Sequence, residues 1–487
     1  MAPKKSRPRL WPYQIANLEK INEAYARGGR SVCYQAPTGS GKTVVGVEFI
    51  ARQPDNGIVV LGHRDEIVQQ TSAALALMEI EHGVIAAGYP ETKAQVQVAS
   101  VMTLVRRLDR LTPPPTLLVI DECHHAAAAT WQKIIAALPD ADILGLTATP
   151  RRLDGKPLDD IFDTLVVGPP IAKLIDDGFL APVVVFAPVH GPDLKAVKIR
   201  AGDYAIDELA AVMSNEMIVG GAVTEYEKRC PDARGIAFCV NIEHSNLIAK
   251  AFRARGYRAE HVDGNTPREE RRRLIAALDD GTVDVICNCG LISEGLNVPG
   301  VEAAVLLRPT KSLALYLQMC GRALRTAPGK DCAFILDHAG NVFRHGLPTA
   351  RRRWSLHGRQ QDGSNVERLF RCPACDAIND RDADECVHCG AELHRKRPPR
   401  VEVDGSKLAE AIEVPVTDTD LREMTYRDVM RWAADRDGYF FPDRLESIAT
   451  ARAYKPGWVH YNRDRPLEEI LKEHDEYVRA RRKEFVR

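Results

Sequence analysis

Ser31-Val32-Cys33-Tyr34-Gln35-Ala36-Pro37-Thr38-Gly39-Ser40-Gly41-Lys42-Thr43 decides how this chain folds. A short apolar run, long enough for one buried strand, meets a glycine turn, and a helical pattern opens at about Lys42. Glycines at such a junction let backbone N–H groups wrap a phosphate chain, and the helix N-terminus adds partial positive charge. Pro37, Thr38, Gly39, Ser40 and Gly41 would form the cradle. Lys42 would reach the β- and γ-phosphates, and the Thr43 hydroxyl would hold Mg²⁺. Chance is a poor explanation for Gly, Lys and Thr all correctly spaced at a strand–helix boundary.

Outward from this stretch the same rhythm repeats. GIVVLGH, VQVAS, TLLVIDE and DILGLTAT are apolar strands with helical patterns between them, which predicts a parallel sheet with helices on both faces over residues 1–180. Residues 181–215 are less regular, break at Gly202-Asp203-Tyr204, and are taken as a connection. The rhythm returns in GIAFCV, HVDG, VDVICNC, AAVLL and CAFIL, a second α/β lobe over 216–345. Composition then shifts to Arg, Gln, Gly and Ser in a linker (346–369), ahead of a cysteine module (370–392) and a mostly helical tail (393–487).

The strand at 116–121 ends in Asp121-Glu122-Cys123-His124. Acidic groups at the carboxyl end of a parallel strand sit where ligands bind. Asp121 would hold the Mg²⁺, and Glu122 would act as general base on the attacking water. Thr147-Ala148-Thr149-Pro150 closes the next strand, so its two hydroxyls can hydrogen-bond the segment carrying His124 and relay the nucleotide state. In the second lobe, Gln318-Met319-Cys320-Gly321-Arg322-Ala323-Leu324-Arg325 spaces two arginines three apart on a helix, so both can face one cleft. Arginines from a second lobe neutralise charge on a γ-phosphate only when the lobes close.

With these motifs in this order, the sequence resembles the superfamily 2 helicases of DEAD/DEAH-box type over about residues 9–340. The resemblance implies two tandem RecA-like lobes, ATP as the nucleotide, and Gln318 alongside Arg322 and Arg325 in the catalytic set. Leu10-Trp11-Pro12-Tyr13-Gln14 resembles the entry motif, in which Gln14 reads the adenine edge. His63 and Arg64, with Ser100 and Thr103, fall where the first lobe touches the nucleic-acid backbone, and Asn241 and Ser245 where the second does. Ser293-Glu294-Gly295-Leu296-Asn297-Val298-Pro299 resembles the motif coupling strand to nucleotide, with Gly295 and Asn297 at the ATP. Two positions depart from the family pattern: Trp11 where Arg is common, and Asn297 where Asp is common. Gly202-Asp203-Tyr204, Leu336-Asp337-His338-Ala339-Gly340-Asn341 and the cysteine module look closest to bacterial RadD-like DNA repair helicases.

Cys372-Pro373-Ala374-Cys375 and Cys386-Val387-His388-Cys389 are two C-x-x-C knuckles, the pattern of a closed tetrahedral Zn²⁺ site in a zinc ribbon. So short a segment cannot bury enough surface to fold alone, so the metal would supply most of its folding energy.

The bulk numbers agree. The 487 residues are 45% hydrophobic and 27% charged, with a net charge of −1, an ordinary globular profile. No apolar run is long enough to cross a bilayer, and the expected place is the cytoplasm, without a membrane. Near-neutral charge excludes a protein coated all over by nucleic acid; basic groups would be confined to a groove. Arg344, Arg351, Arg352, Arg353 and Arg359 form one basic cluster, read equally as a groove wall or as a solvated face. The expected partner is single-stranded or branched DNA, with an RNA helicase and a motor subunit of a restriction or phage-defence complex as alternatives. A protein partner would dock on the zinc ribbon or the tail.

Overall fold

The computed structural model describes residues 9–54, 56–151, 157–188, 191–200, 202–290, 298, 300–357, 369–393 and 472. Gly295, Asn297 and nearly all of the expected helical tail lie outside them.

The first sheet is built from β1 (Ser31–Gln35), β2 (Ile58–Gly62), β3 (His82–Ile85), β4 (Val96–Ser100), β5 (Leu117–Asp121), β6 (Asp142–Thr147) and β7 (Thr164–Val167). Its order is β3-β4-β2-β5-β6-β1-β7, and every pairing is parallel. Alternate residues feed two cores. Val32, Tyr34, Val60 and Val119 pack with Leu18, Ile21 and Phe49 on one face, while Cys33, Leu61, Leu118 and Ile120 pack with Trp131 and Ile134 on the other. Burial on both faces is why these strands read as continuous apolar runs.

β8 (Val183–Phe186), a hairpin of β9 (Ile199–Arg200) and β10 (Asp203–Tyr204), β11 (Gly235–Phe238), β12 (Ala259–Val262), β13 (Val285–Asn288), β14 (Ala303–Leu306) and β15 (Ala333–Asp337) follow. With β16 (Leu369–Arg371) and β17 (Ile378–Asp380) from the cysteine module, the second sheet has the order β12-β13-β11-β14-β15-β8-β17-β16. The expected two-lobe α/β architecture is present, with two differences in where segments go.

Residues 181–215, expected to be a connection, supply β8, which pairs in parallel with β15. Its four residues Val-Val-Val-Phe are all buried, and a run that apolar is stable only inside a sheet. The described first part of the 346–369 linker, residues 346–357, is not slack either. Leu356 is buried in the first lobe's core and its carbonyl accepts from Leu158 N at 2.7 Å, so residues 346–357 return from the second lobe to the first. Arg352 donates to the carbonyls of His345, Leu347, Pro348 and Ala350, and Arg344 to that of Ala339. These two guanidiniums satisfy turns, which accounts for part of the basic cluster.

Candidate active site between the lobes

Parallel register puts the chemistry on one edge. Gln35 is level with Thr147 across β1 and β6, and Asp121 with Leu146 across β5 and β6. The phosphate loop, the Asp-Glu pair and the Thr-Ala-Thr turn therefore leave the sheet side by side at its carboxyl edge. The helix Lys42–Ala51 starts at Gly41, whose φ of 76° is left-handed. A Cβ there would stand 2.5 Å from Gln14 Nε2, so only glycine allows this turn.

Lys42 is buried, and its ammonium donates to the Pro37 carbonyl at 3.4 Å. Burial lowers its pKa; Glu122 and Asp121 act against this, while Arg322 and Arg325 add to it. That single amine thus senses both carboxylates of its own lobe and both arginines of the other. Burial, and then the neighbouring Glu122, push Asp121 up to about 6. Burial and the nearby Arg322 draw Arg325 down to about 9. Lys42, Arg322 and Arg325 gathered in one cleft suit a polyphosphate, whose negative charge matches such a cluster. Thr38 Oγ1, Thr149 Oγ1 and Gln318 Nε2 are buried there without a protein hydrogen-bond partner, polar atoms that fit a phosphate or a water.

The lobes meet at the loop itself. A Cβ added to Gly321 would stand 2.4 Å from Thr38 Cβ, and one on Gly39 would lie 3.5 Å from Arg325 Cγ. Gly321→Ala is therefore expected to hold the lobes apart and to lower kcat by about 10²-fold, as a misplacement of an ångström does. Stopped-flow phosphate release with unchanged circular dichroism checks this; a wild-type rate would refute it.

Glu122 adopts a left-handed φ of 50°, a costly conformation for a non-glycine residue. His124 Nδ1 lies 3.4 Å from Glu122 Oε2 and 3.1 Å from Thr147 Oγ1. The Thr147 hydroxyl donates to the Thr149 carbonyl at 3.0 Å, so His124 Nδ1–H must be the donor to Thr147. His124, Thr147 and Thr149, the residues expected to couple the site, are thus in one chain of contacts. Gln14 is buried, with Oε1 accepting from Trp11 N and Nε2 donating to the Ser40 carbonyl; Trp11, Tyr13 and Phe179 cluster beside it.

The expected strand contacts also lie on carboxyl edges. His63 and Arg64 follow β2, Ser100 ends β4 with Thr103 just beyond, and Asn241 follows β11. Arg64 donates to the Gly290 carbonyl of the second lobe at 2.7 Å, and Asn241 Oδ1 caps the next helix by accepting from His244 N. Ser245 departs from expectation: it is fully buried, bonded to His261 Nδ1 at 2.7 Å, and presents no surface to a strand. Cross-lobe ion pairs were not legible in the sequence: Asp65 with Arg268 at 2.7 Å and Glu66 with Arg271. The Gly202-Asp203-Tyr204 and Asp337–Asn341 signatures meet at Thr310. Asp203 accepts from the Thr310 hydroxyl and from Lys311 N, while Asn341 Oδ1 accepts from Thr310 N.

The sulfurs of Cys372, Cys375, Cys386 and Cys389 lie within 4.8 Å of one another. Burial opposes ionisation of Cys386, but N–H groups of Cys389 and His388 and the Asn379 amide pull its thiol down to about 6. Four sulfurs in a closed set, with N–H donors turned toward Cys386, fit a structural metal site.

The family described as "Type III restriction enzyme, res subunit" matches residues 7–152, and "Helicase conserved C-terminal domain" matches 222–327. A 51.5 kDa protein of a Lactococcus phage is 34% identical over 365 residues, 74% of this chain and 77% of that protein. The chain belongs to the superfamily 2 helicases. The "Putative ATP-dependent helicase IRC3" of Saccharomyces cerevisiae is 29% identical over 69% of this chain, which spans about half (52%) of that protein. A fragment of a putative HsdR subunit of a type I restriction enzyme from Vibrio vulnificus has the same fold, with a TM-score of 0.56 and 20% identity over 70% of this chain and 67% of the fragment. This superfamily 2 helicase is an ATP-hydrolysing enzyme that works on nucleic acid. Among the described residues no helix is long and apolar enough to cross a membrane.

Proposed function

We propose that this helicase is an ATP-driven DNA translocase that serves repair or recombination, akin to the RadD-like enzymes its signatures resemble. The observation that carries this is the convergence on Lys42 of Asp121 and Glu122 from one lobe and of Arg322 and Arg325 from the other. Pro37, Thr38, Gly39, Ser40, Gly41 and Lys42 bind the phosphates, and Gln14 sits at the base. Thr43 and Asp121 would hold Mg²⁺, which when bound neutralises phosphate charge. Glu122 accepts a proton from the attacking water. Arg322 and Arg325, supported by Gln318, meet the charge that develops on the γ-phosphate.

His124, Thr147 and Thr149 pass the state of that site along the strand edge. There His63, Arg64, Ser100, Thr103 and Asn241 grip the sugar-phosphate backbone. Because Arg64 already reaches across to Gly290, closing and reopening of the lobes shifts one grip relative to the other. Backbone contacts carry little sequence information, so binding depends on strand form and salt. Cys372, Cys375, Cys386 and Cys389 would hold Zn²⁺.

A second reading, the motor subunit of a restriction or defence complex, is favoured by the restriction-enzyme family that matches the first lobe. Steady-state ATPase with single-stranded DNA, duplex DNA and RNA separates the readings, with Lys42→Ala as the blank. Stimulation of at least about tenfold by DNA and not RNA is expected, falling steeply with salt. Stimulation by RNA alone would overturn the DNA reading. Activity only on duplex DNA and only with an added partner would favour the defence motor.

A further inference from the structure

Lys330 lies just past the arginine segment, after a turn at Gly329 with φ of 77°. Its ammonium donates to the carbonyls of Val301 at 2.6 Å, Arg325 at 2.7 Å and Ala323. An ammonium has three N–H donors, and here each has an acceptor.

Those three carbonyls come from two functional stretches. Ala323 is the last residue of the helix Leu313–Ala323, which carries Gln318 and Arg322, and Arg325 follows two residues later. Val301 lies just beyond the 293–299 segment and leads into β14. The helix end also holds the start of the inter-lobe chain, since Ala181 N donates to the Leu324 carbonyl at 2.8 Å and Leu180 bridges Arg325.

The position is electrostatically expensive. Burial draws Lys330 down to about 8; Glu302 opposes this, but the nearby Arg325 adds to it. A neutral side chain would avoid both costs. What the amine uniquely provides is a tetrahedral donor that caps the negative end of the helix and ties Arg325's own carbonyl to the sheet.

We propose that Lys330 is a positioning residue for the two arginines, fixing the helix end and the Arg325 backbone against β14 so that both guanidiniums meet the transition state. The proposal rests on the arginine roles given under Proposed function. A plain helix cap would stabilise the lobe and weaken every nucleotide state alike. A positioning residue acts mainly on the state whose charge the arginines neutralise.

The test is binding of fluorescent ADP with Mg²⁺, with and without aluminium fluoride, a mimic of the transferring phosphoryl group, to wild type and Lys330→Met. Wild type is expected to gain affinity with fluoride. The variant should bind ADP within about twofold of wild type yet lose about tenfold or more of that gain, the size of a modest orientation error. Its kcat should fall in parallel while the KM for ATP holds, and methylammonium should restore part of the gain to Lys330→Ala. An intact gain in Lys330→Met overturns the proposal, as does an equal loss of affinity for ADP alone. A wild type with no fluoride-dependent gain overturns the arginine reading beneath it.

Discussion

Arg322→Ala is expected to lower the nucleic-acid-stimulated kcat by about 10³-fold or more while changing the KM for ATP by no more than about threefold. Arg322 is only 6% exposed and follows Gly321, which the helix Leu313–Ala323 places against Thr38 of the phosphate loop. In the proposed mechanism such a guanidinium does little for ground-state affinity, because the loop amides and Lys42 would already bind the phosphates. Its contribution appears when charge shifts during transfer, where an electrostatic donor in a desolvated cleft is worth most. Arg322→Lys should recover little, since a planar fork and a point charge do not reach the same oxygens. Steady-state kinetics at saturating polymer decide the matter. A drop below about tenfold, or a rise in KM that accounts for the loss, would remove Arg322 from the transition state.

The second large effect concerns the metal centre. Removing the metal by chelation, or breaking the site with Cys372→Ser, is expected to cost the second lobe at least about 3 kcal/mol, well within the folding energy such sites supply. For a lobe-sized unit that corresponds to a fall in Tm of roughly 6–12 °C. The reason is structural continuity. Cys372 and Cys386 are buried in the same core as Val285, Cys287 and Val305, and Ile378 of β17 is level with Val185 of β8. Arg229 donates to the Cys375 carbonyl at 2.6 Å and pairs with Asp376 at 3.0 Å, and Arg371 donates to the Ala187 carbonyl. Metal analysis with differential scanning calorimetry checks this: one zinc per chain, and a loss of the upper transition on chelation. A metal-free chain with unchanged Tm would show that the module is an ornament on an independently stable lobe.

The nucleotide cleft was legible because its chemistry is local. Phosphate loop, Asp121-Glu122 and the Arg322–Arg325 segment each lie within a few residues; parallel-sheet topology brings the first two to one edge, and the second lobe presents the third to it. The rest depended on contacts distant in sequence. Val-Val-Val-Phe at β8 reads as a strand, yet nothing in it says that it pairs with β15 rather than the first sheet. Arg344 and Arg352 look like a solvated basic face until the turns they satisfy are in place. Ser245 falls where the family resemblance implies a strand contact, but only the fold shows it turned inward onto His261. Lys330 looks like any lysine after a Pro-Gly turn, because its three acceptors come from residues 301, 323 and 325.

The pairing of β17 with β8 has a consequence for solubility. β8 would otherwise be the open border of the second sheet, four buried-type residues long and free to recruit a strand from another molecule. The cysteine module covers that border, and its own outer strand, β16, is only three residues long and ends in Arg371. Short, charged borders are poor templates for self-association. A chain without a metal at the cysteine cluster would therefore expose that border and is expected to self-associate.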